Sequence, residues 1–537
     1  MVRRVPETLS TAEPMRQTVA LLALLPVLLC AAGPAAAAAK TDLVLAIGGE
    51  PETGYDPLLG WGAYGHPLFQ STLLRRDADL RTEGDLASSW TLSDDRLTWT
   101  VQIRNDAVFS DGTALTARDV AFTYTQGART AGALDLSVLE SATARDDATV
   151  VLRLKKPWIT FTETFFSLGI VPAASYGPDY ARHPIGSGPY RLVSWSEGEQ
   201  LIVERNPGYY GKKPAFERVT FLFTGEDAGL AAAQAGAVDM VSVPAPLADA
   251  VPDGFRAESV RTVDNRGISL PFLPDTGRRD ANGGRIGNAV TSDRAVRQAI
   301  NLGLDRAAIV EVALHGHGTP AFGPADGLAW AGEADRVSFD LAAARRILDE
   351  AGWREGSDGI RVRGGVRAAF PIHYPASDTT RQSLAEVAAE LLRPLGIEAT
   401  PEGSSWDAIN RVMHAEPVIF GFGSHSPYQL YSLYESSLGG VEYLNPTFYA
   451  NEAVDAAFAQ AQAASGLEAS YPFWRRAAFD GTTGYGLQGD AAWAWLVNLD
   501  HVYFVNRCLD IGRPQIEPHG HGWPITASIA DWRWTCE

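Results

Sequence analysis

The chain has 537 residues, too many for one hydrophobic core, so two or three domains are expected. Its composition, 46% hydrophobic and 20% charged, is that of a globular protein. A formal net charge of -19 argues against nucleic acid and anionic membrane surfaces as partners, and favours solubility and a cationic ligand.

The N-terminus reads as an export signal. Arg3, Arg4 and Arg16 supply positive charge, residues 19–32 form an apolar run, and residues 35–39 offer A-x-A cleavage sites. Residues 1–39 are therefore expected to be a cleavable signal peptide that directs export of the chain. The apolar run is too short for a comfortable transmembrane helix. Leu29 precedes Cys30 where a lipoprotein signal takes a small residue, so membrane anchoring is not expected. Export leaves Cys508 and Cys536, which are expected to be bonded. That bridge closes a loop of roughly 29 residues and restricts the unfolded chain by roughly 3 to 4 kcal/mol.

Asp42 to Ile47 reads as a buried strand ending at the turn-rich GGEPETGYDP. After Asp56-Pro57 and two Gly-bounded aromatics, an apolar helix is expected from Pro67 to Leu74. Leu97, Trp99, Val101 and Ile103 alternate with polar residues, as in a half-buried strand. In FSDGTALTARDVAFTY, Asp111-Gly112 makes a turn, and Thr116 with Asp119 starts a helix through Val120 and Tyr124. Further on, PIGSGPYRLVSWSEGEQLIVERNPGYYG is a Gly-rich turn, two strands and an Asn-Pro turn. DRAVRQAINLGLDRAAIVEVALHGHGTPAFGP gives two helices. Asp293 or its neighbours cap the first, which buries Val296, Ala299 and Ile300. Asp305 caps the second, which is expected to bury Ile309, Val312 and Ala313. Residues 339–353 and 381–395 are two more helices, the latter followed by a strand near Ile397, an α/β pattern.

These blocks carry a resemblance. F-x-D-G-x-x-L-T-A-x-D-V-x-F-[ST], P-x-G-[ST]-G-P-Y followed by R-N-P-x-Y, and VRxAIxxxxDRxxIV followed by GxGTPAxGP resemble the extracellular solute-binding proteins of family 5. Those proteins feed ABC transporters for dipeptides, oligopeptides and nickel. The resemblance implies an α/β, two-lobed periplasmic binding protein of type II with an extra subdomain in lobe I. Residues 40–265 would form lobe I, 266–490 lobe II, and 491–537 would return to lobe I. It implies a monomer that captures a ligand in the cleft between its lobes. The ligand would pass to ABC permease and ATPase subunits at the inner membrane.

No catalytic pattern competes with this reading. H-E-x-x-H, G-x-S-x-G, G-x-x-x-x-G-K-[ST] and C-x-x-C are all absent, so no enzyme is expected. The ten histidines are more informative, because imidazole suits nickel, copper and zinc. GFGSHSPYQLYSLYESS resembles the family's cleft-lining GWxxDYPDPxxxLxxxxxS segment. Peptide-binding members place an aspartate there for the ligand's amino group, whereas this chain has Ser424-His425. Nickel-binding members commonly place a histidine there, which makes His425 the leading metal ligand. His519 and His521, in PHGHGWP, resemble a C-terminal loop that reaches the cleft in nickel-binding relatives. His315 and His317 follow a helix that packs away from the pocket in the family. His66 and Trp61 border the expected cleft, and Tyr428 and Trp523 could wall it, core packing being the alternative for each aromatic. The expected ligand is nickel, held as a small chelate, with a dipeptide or oligopeptide as the alternative. No nickel is expected as a catalyst.

Overall fold

The computed structural model describes residues 40–65, 67–130, 134–332, 336–520 and 523–536. The signal segment, His66 and His521 therefore lie outside the described residues. The strand Asp42–Ala46 buries Leu43 and Leu45 and sits inside the largest sheet, parallel to Arg218–Leu222 on one side and to Met240–Val243 on the other. Gln200–Arg205 and Tyr190–Ser196 extend this sheet outwards, antiparallel, as the Asn-Pro turn and its flanking alternation predict.

Two long strands leave the opposite edge. Phe255–Ser269 and Trp493–Asn506 pair antiparallel over most of their 15 and 14 residues, against about 5 or 6 for an ordinary strand. Near one end they meet Met240–Val243, and near the other they meet Ile419–Phe422. They are the two crossings between the halves of a two-lobed α/β fold. The pairing breaks between Arg261 and Asn265. There the C-terminal tail enters, with Thr262 bridged in parallel to Glu517, and Val263 N–H donating to the Glu517 carbonyl at 2.8 Å.

On one side of the crossings stands a separate antiparallel sheet of Ala87–Leu92, Thr98–Ile103, Thr149–Leu154 and Leu139–Ala144, covered by the helix Ala117–Gly127. Its capping box of Thr116 and Asp119 forms as predicted. On the other side, Ala369–Pro375 and Glu398–Ser404 run parallel, joined through the helix Thr379–Leu392. Asp293, Asp305 and Asp340 cap the helices Arg294–Gly303, Arg306–Leu314 and Leu341–Glu350 by accepting backbone N–H bonds. Cys508 and Cys536 are bonded. No described helix is long and apolar enough to cross a membrane.

Two local expectations are corrected. Residues 67–73 form no helix, and the chain reaches the strand Leu74–Arg76 through an irregular path with Leu68 in the left-handed region. Tertiary partners take the carbonyls a helix would use: Trp61 Nε1 donates to Pro67 O at 2.6 Å, and Gly188 N–H donates to Phe69 O at 2.8 Å. Gly186 and Gly188 press on this path so closely that a Cβ at either would lie 2.0 and 2.4 Å from a carbonyl oxygen. The second correction concerns Val312, which is 62% exposed. The buried stripe of its helix is Ile309, Val310 and Ala313, one helical step away.

Candidate functional site

In sheets with parallel strands, ligands settle in the crevice beyond the carboxyl ends of those strands. A cavity of about 200 Å³ lies there. Ile47 and Gly48 reach it from the end of Asp42–Ala46, and Pro244 and Ala245 from the end of Met240–Val243. Leu499 to Tyr503 supply part of the wall from the second crossing strand, and Gly520 and Pro524 come from the tail. Thr380, in the first turn of Thr379–Leu392, closes it from the other lobe. Asp500 is an acidic group on this wall, its carboxylate accepting from Ser259 Oγ at 3.0 Å.

Behind the wall lies a buried ionic network built on the break in the crossing strands. Asp264, 1% exposed, accepts from His501 Nε2 at 3.0 Å, from His519 Nδ1 at 2.7 Å and from Arg266. His501 also bonds through Nδ1 to Glu517 Oε2 at 2.6 Å, and Tyr503 donates its hydroxyl to the same oxygen at 2.9 Å. Burial alone would raise the Asp264 carboxyl, but Arg266, His519 and His501 outweigh it and hold it well below the usual carboxylate range. Burial would likewise lower the His501 imidazole, yet its bonds to Asp264 and Glu517 carry it up to about 9. His501 is therefore an imidazolium at neutral pH.

Two arginines flank this network. Arg266 lies against Gly421, where a Cβ would come within 2.5 Å of its guanidinium. Arg381 bonds Asp378 at 2.6 Å and sits over the Trp406 ring at 5.6 Å. Burial, then the charge of Arg266, lower it to about 10. The Nε groups of both arginines are buried and find no acceptor among the described residues. Trp406 is partly exposed and stacks on Phe420.

The structure distributes the sequence-predicted residues unevenly. His519 is buried with Nδ1 committed to Asp264 and its backbone N–H to the Gly423 carbonyl. His425 is buried in the neighbouring segment, and its carbonyl accepts from Arg76 at 3.2 Å. Tyr428 begins the helix Tyr428–Tyr434, stacks on Tyr431 and donates to Asp135 at 3.2 Å. Trp61 and Trp523 are 4% and 2% exposed and meet edge-to-face in a core with Tyr55. Trp523 stacks flat on Phe221 and backs Gly48, so it supports the cavity wall from behind. His317 bonds Ser259 through Nδ1 at 3.2 Å, and its carbonyl accepts from the Asp500 N–H. Among the described residues, no group of three or more His, Cys, Asp or Glu is placed to hold a metal ion.

Sequence reading missed Asp264, Arg266, His501, Glu517 and Arg381. One signal was available: Asp264-Asn265-Arg266 puts three polar residues in a row within a strand buried on both faces. Uncompensated charge does not survive such burial, so a partner set had to exist.

A ligand cavity between two lobes, crossed by two long strands and closed from both sides, defines a binding protein. The family of bacterial extracellular solute-binding proteins, family 5 (middle region), matches residues 81–439, and the chain belongs to it. Its members work with ABC permease and ATPase subunits and bind a small molecule or peptide without catalysis. The chain is 36% identical over 482 residues to Protein XP55 of Streptomyces lividans, covering 87% of this chain and 85% of that protein. It is 27% identical over 439 residues to the oligopeptide-binding protein AppA of Bacillus subtilis, covering 72% and 77%. The solved structure of NikZ from Campylobacter jejuni in complex with Ni(L-His) superposes with a TM-score of 0.80, at 22% identity, covering 92% of this chain and 99% of that one.

Proposed function

We propose that this protein captures a short peptide in the inter-lobe cavity and delivers it to an ABC importer after export through its N-terminal signal. The carrying observation is the cavity itself. At about 200 Å³ it is smaller than the roughly 300–1,000 Å³ of ordinary drug-sized sites, which suits two or three residues rather than a long peptide. Asp500 on its wall suits a peptide ammonium. The relationship to a protein named for oligopeptide binding supports the same reading. The nickel reading rests on His425, His519 and His521, and among the described residues no group of three or more His, Cys, Asp or Glu is placed to hold a metal ion. The lobes are proposed to divide at 265/266 and 490/491, with the tail returning to lobe I.

Calorimetric titration of the mature protein tests this. Trialanine and a mixed dipeptide–tripeptide pool are expected to give saturable heat, with nickel, alone or with free histidine, silent. Tight nickel uptake that collapses in His425→Ala, with peptides silent, would overturn the peptide reading.

A further inference from the structure

The chain passes between the lobes covalently at Phe255–Ser269 and Trp493–Asn506. Residues 270–492 are therefore joined to residues 72–180 by non-covalent contacts alone. Those contacts exist, and they involve neither the crossing strands nor the cavity wall. Thr160, at the start of a short helical turn in the extra subdomain, donates its hydroxyl to Gln462 Oε1 at 2.8 Å, and its N–H reaches the same oxygen at 3.3 Å. Both residues are almost fully buried, at 3% and 1% exposed. Gln462 ends the helix Glu452–Gln462, some 300 residues away along the chain. Beside this pair, Trp158 meets Tyr431 edge-to-face at 5.1 Å. Arg76, paired with Glu163 at 2.6 Å and lying over the Phe166 ring, donates to the His425 carbonyl at 3.2 Å.

We propose that Thr160 and Gln462, flanked by the Arg76–His425 contact, form a reversible latch between the extra subdomain and the second lobe. The latch sets the fraction of molecules that are closed, and so sets ligand affinity without touching ligand. Its chemistry fits a contact that must break. Gln462 Nε2 is buried with no partner among the described residues, so the closed contact is only half satisfied, and opening lets water complete it. A fully apolar seam would release nothing to water and would favour permanent closure. Arg76 gives the same contact a second effect: it closes onto the main chain of His425, so closing also fixes the segment beside Arg266 and Gly421. Apparent affinity scales with the closed fraction, so a weaker latch raises Kd without altering any ligand contact.

The test uses the mature full chain, with small-angle scattering in the absence of ligand and trialanine titration. Thr160→Val removes the shorter of the two bonds to Gln462 Oε1 and leaves that buried oxygen only the backbone N–H of position 160 at 3.3 Å in the closed form. It is expected to increase the ligand-free radius of gyration and weaken trialanine about tenfold. Thr160→Val with Gln462→Leu replaces both partners by apolar groups of similar shape, and is expected to restore compactness and affinity to wild type or better. Arg76→Met is expected to act in the same direction as Thr160→Val. A ligand-free wild type as expanded as Thr160→Val, or a double variant no more compact than the single, would overturn the latch. Scattering needs no ligand, so failure of trialanine to bind the wild type would count against the peptide reading alone.

Discussion

Replacing Asp264 by Asn removes one charge from the centre of the molecule while keeping its shape. In the wild type this carboxylate accepts from His501 at 3.0 Å, from His519 at 2.7 Å and from Arg266 Nη2 at 3.3 Å. The variant leaves the Arg266 guanidinium and the His501 imidazolium buried beside a neutral amide, whose NH₂ cannot accept. Breaking a buried pair from one side costs about 3–5 kcal/mol. The imidazole gives an independent figure: a rise from 6.5 to about 9 corresponds to about 3 kcal/mol of preference for the charged form, shared between Asp264 and Glu517. The sign follows from linkage. A group raised in the folded state contributes stability that is complete below its unfolded value, here about 6.5, and lost as pH rises through about 9. Guanidinium unfolding at pH 6.5, 8 and 9.5 should therefore show wild type losing stability across that window. Asp264→Asn should start about 3 kcal/mol lower at pH 6.5 and change less, so the gap narrows towards pH 9.5. Equal midpoints at pH 6.5, or a gap independent of pH, would refute the assignment of His501 as a buried cation.

Other outcomes follow from single features. Cys508→Ser with Cys536→Ser removes a bridge between residues separated by 28 positions and should lower stability by about 3.5 kcal/mol, read as the unfolding midpoint against the oxidised wild type. Ser242→Phe projects a ring from a cavity-lining strand and should abolish trialanine heat while leaving the unfolding midpoint near wild type. Val312→Asp, at a position 62% exposed, should stay within about 0.5 kcal/mol of wild type. A loss of several kcal/mol there would restore the expectation that Val312 faces the core.

Much of the fold is legible in the sequence because its signals are local. Aspartates at 293, 305 and 340 announce helix starts, since each side chain satisfies an N–H within three residues. The capping box at Thr116 and Asp119, the alternation from Thr98 to Ile103 and the Asn206-Pro207 turn are equally self-contained. The stretch from Pro67 to Leu74 was misread because carbonyls that a local reading gives to a helix are claimed by Trp61 and by Gly188, the latter about 120 residues away. Val312 was misplaced because neighbouring positions on an apolar helix are distinguished only by what packs on them.

The site divides in the same way. Sequence resemblance directed attention to His425, His519 and the tail, and determined the family and its two-lobed form. What each histidine does was decided by tertiary structure alone. His519 is held by Asp264, and Asp264 is reachable only because the crossing strands part at Arg261 and let residue 517 pair in their place. Charge in a buried strand demands a partner, but the sequence does not say which. Besides Arg266, two residues away, the partners of Asp264 come from positions 501 and 519, more than 200 residues further along. Interaction energy depends on distance in space, and only the closed fold fixes those distances.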